Sequence, residues 1–121
     1  MSLTIKHAAA LVGLSAILCG CSKHVETKET RSPDGRVILR IEVDESGGAA
    51  VSDVTSAFLL MPNAAPATKK LIFKGSAMSA FRAEWSGPGV ITLSYTNGYV
   101  SACVPTAELS AEVKVSVLGC K

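Results

Sequence analysis

The amino-acid sequence predicts an all-β domain: an antiparallel meander of about six or seven strands after a cleaved signal helix. Three observations predict it. Apolar and polar residues alternate with a period of two along several short segments. Turn-forming clusters separate those segments: Ser32-Pro33-Asp34-Gly35, Asp44-Glu45-Ser46-Gly47-Gly48, Ser86-Gly87-Pro88-Gly89 and Asn97-Gly98. No helical period competes; Ala107–Val113 is the best candidate, and it gives way to the β-branched run Val113–Val117. A twisted sheet, a small sandwich and a partly open barrel all fit this pattern.

The elements follow in chain order. Ser22–Arg31 reads SKHVETKETR, polar and charged around the one apolar residue Val25, which predicts a tether of about 35 Å reach when extended. Ser32-Pro33-Asp34-Gly35 is a tight turn by composition. In Arg36–Val43, Val37, Leu39, Ile41 and Val43 point one way. Arg36, Arg40 and Glu42 point the other, with Ile38 breaking the pattern. Val51–Met61 is a longer strand whose Val54, Phe58 and Leu60 share a face, and Pro62 ends it before a Pro/Ala loop at 63–68. Lys70–Lys74 is a short strand, and Ser79–Trp85 sends Phe81, Ala83 and Trp85 inward with Arg82 and Glu84 outward. Val90–Thr96 follows. Asn97-Gly98 predicts a two-residue type I′ hairpin joining Ile91–Thr96 to Tyr99–Val104. Glu112–Leu118 closes the series, with Val113, Val115 and Val117 on one side.

The start of the chain stands apart in composition. Lys6 supplies a positive charge, and Ala8–Leu18 is apolar and uncharged, long enough for a signal-peptide core and too short to span a bilayer. No later stretch approaches ~18 apolar residues, so no transmembrane helix is expected. The stretch ends Leu18-Cys19-Gly20-Cys21, which resembles the lipobox of bacterial lipoproteins. The resemblance implies a thioether from the Cys21 thiol to diacylglycerol, cleavage between Gly20 and Cys21, and acylation of the new terminus by palmitate or a similar chain. Gly20 fits the small residue the peptidase needs, whereas Cys19 follows the bulky Leu18. At about 0.8 kcal/mol per buried CH₂, several chains make a durable anchor. The expected organisation is a signal peptide at 1–20, a lipidated cysteine and tether at 21–31, and a single β-domain at 32–121. Ser22 is not the aspartate that marks inner-membrane retention. In a Gram-negative host this implies the inner leaflet of the outer membrane, facing the periplasm. The competing readings are a cytosolic chain with a buried N-terminal helix and a secretory signal without lipid.

Of four cysteines, Cys19 leaves with the signal and Cys21 takes the lipid. Cys103 and Cys120 remain, an even pair in an oxidising compartment, and a disulfide is expected between them; two free thiols are the alternative. The hairpin register and the parity of the last strand place both on the less apolar face of one sheet.

The Ser-Pro-Asp-Gly turn before an alternating strand resembles one blade of a TolB-like or WD-type propeller. A wider pattern covers about 32–99: SPDGR and a strand, the turn Gly48-Ala49-Ala50, a strand ending in Met61-Pro62, then Arg82-Ala83-Glu84-Trp85 before a β-hairpin. This order is similar to a family of small uncharacterised bacterial β-domains often attached to lipoprotein signals. The resemblance implies a compact β-sheet domain and brings no activity with it.

The composition excludes several functions. A formal charge of +2, from 12 Lys+Arg and 10 Asp+Glu, offers no strong field for nucleic acid. The two histidines are His7, in the signal, and His24, in the tether. The expected domain therefore has no Ser–His–acid triad and no His-based metal site, and neither cofactor nor metal is expected. Asp44 and Glu45 read as turn formers, not an acid–base pair, and Asp53 and Glu84 fit exposed strand faces. Lys69-Lys70 and Lys74 form a small basic cluster, readable as a charged edge or as a contact for anionic headgroups. Trp85, Tyr95 and Phe81 lie at strand parity and read as core. The expected function is non-enzymatic: a cell-envelope lipoprotein held on the membrane through Cys21, whose β-domain binds an envelope protein partner or serves as structure. The alternative is an inhibitor or immunity protein acting on an envelope-directed enzyme such as a lysozyme. A hydrolase is the third class.

Overall fold

The computed structural model describes residues 25–45, 52–64 and 67–120. Gly20 and Cys21, which carry the signal and lipid expectations, lie outside the described residues. So does the Gly48-Ala49-Ala50 turn.

β1 (Val25–Arg31), β2 (Ile38–Asp44), β3 (Val54–Met61) and β4 (Thr68–Ser79) form an antiparallel meander. β5 (Arg82–Gly87) and β6 (Val90–Ser94) begin a second sheet. β7 (Asn97–Cys103) returns to the first sheet beside β4, and β8 (Thr106–Glu108) and β9 (Lys114–Leu118) complete the second. The orders are β1-β2-β3-β4-β7 and β5-β6-β9-β8. The fold is all-β, two sheets around one core and not a closed barrel.

Nine strands are described, two more than the alternation reveals. β1 is one of them: Val25–Arg31, expected as tether, is a strand of the first sheet. Every β1 side chain is exposed, which leaves no apolar face to read in sequence. The strand exists because it pairs along its whole length with β2, from Val25↔Asp44 to Arg31↔Ile38, with Arg40 Nε 2.6 Å from Glu29 Oε2 across the ladder. The Ser-Pro-Asp-Gly turn is thus the β1–β2 connection. The other is β8, whose Ala107 is fully buried where the sequence offered a helix.

The expected Asn97-Gly98 hairpin does not form. β6 pairs with β5 and, in parallel, with β9; β7 pairs with β4 in the other sheet. A type I′ turn needs positive φ at both central residues. Gly98 has φ 140° and Asn97 is not positive at all. The chain instead crosses between sheets, with Thr96 N–H donating to Ser79 O (3.0 Å). Gly98 serves close packing, since a Cβ there would collide with Met78 Sδ.

The core takes Leu39, Leu59, Ile72 and Phe73 from the first sheet and Ile91, Leu93, Val115 and Val117 from the second. A bulge in β4 pairs Phe73 with Ala57 and Leu71 with Phe58, leaving Ile72 as the extra residue. Ile72 and Phe73 are both fully buried as a result, and the Phe73 ring lies 4.8 Å from Phe81 and 5.9 Å from Tyr95. Val54, Phe58 and Leu60 do share a face, but it is the outer one: Thr55, Ala57 and Leu59 are buried instead, and Lys69 Nζ covers the Phe58 ring at 4.4 Å.

Cys103 ends β7 in one sheet and Cys120 follows β9 in the other, with their Cα atoms 5.6 Å apart in a disulfide. The bridge joins the two sheets, where the hairpin register had put both cysteines on one. Among the described residues no helix is long and apolar enough to cross a membrane.

Candidate binding cleft between the sheets

Strand parity builds one site. On β1, Glu26, Lys28 and Thr30 pair with Val43, Ile41 and Leu39 of β2, and these pair in turn with Thr55, Ala57 and Leu59 of β3. Partners directly opposite one another share a face. The inner face of the first sheet is therefore apolar on β2 and, but for Thr55, on β3, and turns polar on its edge strand. Apolar side chains at Glu26 and Lys28 would close the sandwich on this side. Charged ones stay hydrated and hold it open.

The second sheet presents its own edge, β5, to the same side. Trp85 Nε1–H donates to Thr30 O (3.2 Å), which ties the far end of β1 to β5. Toward the start of β1 the sheets part around a cleft of about 660 Å³. Ile41, Val43, Met78, Phe81 and Ala83 supply its apolar lining. Asp53, Arg82 and Glu84 join Glu26 and Lys28 as its charged groups, and Arg82 pairs with Glu84. A second hollow of about 390 Å³ shares Lys28, Ile41, Ala83 and Glu84 with the first and ends at Thr30 and Trp85. Together they make a groove along the two edges.

The end of β4 and its link to β5 shape the wider end. Ala77 and Ala80 both have φ 54°, a left-handed conformation that costs energy in a residue with a Cβ. Between them Met78 is half-buried, its Sδ occupying the space that a Cβ on Gly75 or Gly98 would need. Two glycines thus make room for the methionine that lines the cleft.

The sequence-predicted residues fall as follows. Asp53 and Glu84, read as plain surface acids, both line the cleft, while Asp44 ends β2 and does not line it. Phe81, Ala83 and Trp85 point inward as expected, with Arg82 and Glu84 exposed. The lysine cluster divides: Lys69 covers Phe58 on the outer face, and Lys70 Nζ donates to Glu108 O (3.1 Å). Among the described residues, no three His, Cys, Asp or Glu side chains gather as a metal site would need. Alternation could not reveal the cleft, because it depends on which edges two sheets leave side by side. The inward charges of VETKETR were the available signal, and they are visible only once β1 is known to be a strand.

The Ser32–Arg36 turn is a separate polar unit. Ser32 Oγ donates to Asp34 Oδ1 (2.6 Å), and the Arg36 N–H and guanidinium also donate to the carboxylate. Those bonds, Ser32 first and the Arg36 backbone next, hold the Asp34 carboxyl below its ordinary pKa.

Comparison with family models, with curated proteins and with solved structures returns no match.

Proposed function

We propose that the chain is a cell-envelope lipoprotein, anchored through Cys21, whose non-catalytic β-domain binds a partner protein in the groove between β1 and β5. The observation that carries the binding role is the cleft itself: about 660 Å³ is within the usual range for ligand sites, and it combines an apolar lining with a few charged groups. Its elongated form beside two edge strands suits an extended polypeptide segment, which gains main-chain hydrogen bonds from a sheet edge and specificity from alternate side chains. The anchoring role rests on the sequence, on Lys6, the apolar run and Leu18-Cys19-Gly20-Cys21.

Crosslinking in intact envelopes, followed by mass spectrometry, tests both parts. The lipidated protein is compared with Cys21→Ser and with Val43→Arg, which places a charge in the cleft lining. The expected result is release of Cys21→Ser from membranes and one stoichiometric partner that Val43→Arg loses while still folding. Equal recovery of the same proteins by the parent and Val43→Arg contradicts the binding role. The partner's identity then separates an assembly role from inhibition of an envelope-directed enzyme, because a captured muramidase is assayed directly.

A further inference from the structure

The edge strands are β1 and β7 in the first sheet and β5 and β8 in the second. An open edge offers unpaired N–H and C=O groups to any extended chain, and folds blunt it with bulges or by keeping it short. Pairing along β7 is interrupted by two register shifts and along β5 by one, and β8 has three residues. β1 has seven residues and pairs with β2 without a break. Among the described residues, β1 is the one long and regular edge.

The turn after β1 fixes which of its backbone groups face outward. Ser32 N–H donates to Val37 O (2.8 Å), and this pair continues the register beyond Arg31↔Ile38. In an antiparallel ladder both backbone groups of a residue point to the same side, and successive residues alternate. Ser32 faces β2, so Thr30, Lys28 and Glu26 do too. Arg31, Glu29, Thr27 and Val25 therefore present their N–H and C=O groups to the open side. Side chains alternate between the two faces. On the outer face Arg40 holds Glu29 (2.6 Å), and Arg31 Nη1 donates to Gly35 O (3.1 Å). On the inner face Glu26 and Lys28 stand two residues apart at the cleft. A strand added antiparallel to β1 meets Lys28 before Glu26, and residues directly opposite share a face. Charge complementarity there asks for an acid and, two residues later, a base.

We propose that the partner's bound segment adds to β1 as an antiparallel strand and reads Asp/Glu-x-Lys/Arg, with its acid opposite Lys28 and its base opposite Glu26. The inference rests on the binding role proposed above and names the chemistry of the partner. Opposite charges across a ladder stabilise the pair, and the reversed order sets like charges against one another, so Glu26 and Lys28 fix the register of the added strand. The same two charges disfavour an apolar strand, which would cover them without pairing them. The edge stays open to one kind of segment.

The test places a photoreactive benzophenone side chain at Thr27, on the edge, or at Glu84, in the cleft, of the full lipidated chain, and irradiates intact envelopes. Mass spectrometry then identifies the captured segment. The expected result is capture of one protein from both positions, through a segment that carries an acid and, two residues on, a base. Glu26→Lys combined with Lys28→Glu should lower that capture by about tenfold, because like charges then face each other. Exchanging the acid and the base of the captured segment should restore it, which also shows that the variant folds. Capture from position 84 alone leaves the groove as the binding site and overturns strand addition. Capture from both positions with no response to the charge exchange overturns the acid-x-base pattern. Capture of a second copy of this chain, whose Glu26-Thr27-Lys28 carries the same pattern, overturns the choice of a different protein as occupant. Capture from neither position overturns the binding role, and this inference falls with it.

Discussion

The two long sides of the sandwich are built in opposite ways. On one side β7 leads into β8. Val104 N–H donates to Ile72 O (2.9 Å), Val117 N–H donates to Pro105 O (2.8 Å), and Cys103–Cys120 ties the sheets covalently. On the other side β1 and β5 face each other across a groove, and Trp85 reaches over its narrow end to Thr30. The difference lies in the inward residues of the edge strands. Ala107 on β8 is fully buried, whereas Glu26 and Lys28 on β1 remain in water. One side is sealed by burial and a covalent bond, and the other is kept open by charge.

Substitutions can break or sharpen this contrast. The largest effect is expected in the shared core, where Phe73→Ala removes a fully buried ring that packs on Phe81 and Tyr95. It should cost about 3–5 kcal/mol in urea unfolding. Next comes the closed side. Cys103→Ser or Cys120→Ser opens a bridge between residues 17 apart, worth about 3 kcal/mol in the chain-entropy model. The double variant should add little, because the second change removes nothing further. On the open side, Trp85→Phe deletes the indole bond to Thr30 and should cost about 1 kcal/mol, read as faster amide exchange confined to β1. Equal losses from the bridge and the indole would erase the contrast.

The smallest effect concerns pH. Asp34 has its carboxyl pKa lowered by folding, so its stabilising contribution is complete above the ordinary carboxylate value and is lost as pH falls through the lowered one. Asp34→Asn should therefore melt below the parent at neutral pH, and the gap should close on acidification. Melting curves across the acid range check the sign, and a gap that widened toward low pH would contradict it.

Sequence and structure agree where one face of a strand is buried. The alternation in Arg36–Leu39 and in Phe81, Ala83 and Trp85 follows burial, and so do Val113, Val115 and Val117, whereas Arg40–Val43 are all half-buried beside β1. Agreement ends where long-range pairing decides. β1 has no apolar face, β8 is too short for a period, and Asn97-Gly98 resembles a local turn although β7 belongs with β4. The disulfide was legible from the cysteine count, but its role of joining two sheets was not. The cleft was the least legible feature, because its walls come from distant segments and its charged groups look like ordinary surface until the edges are placed.

The central claim is that one side of the sandwich is closed and the other open. Native-state hydrogen exchange tests it most directly by comparing β1 with β7, the two edges of the same sheet. The account predicts that β1 exchanges at clearly lower opening free energy than β7, and that reducing Cys103–Cys120 narrows the difference. Protection of β1 equal to that of β7 in the oxidised protein would contradict it.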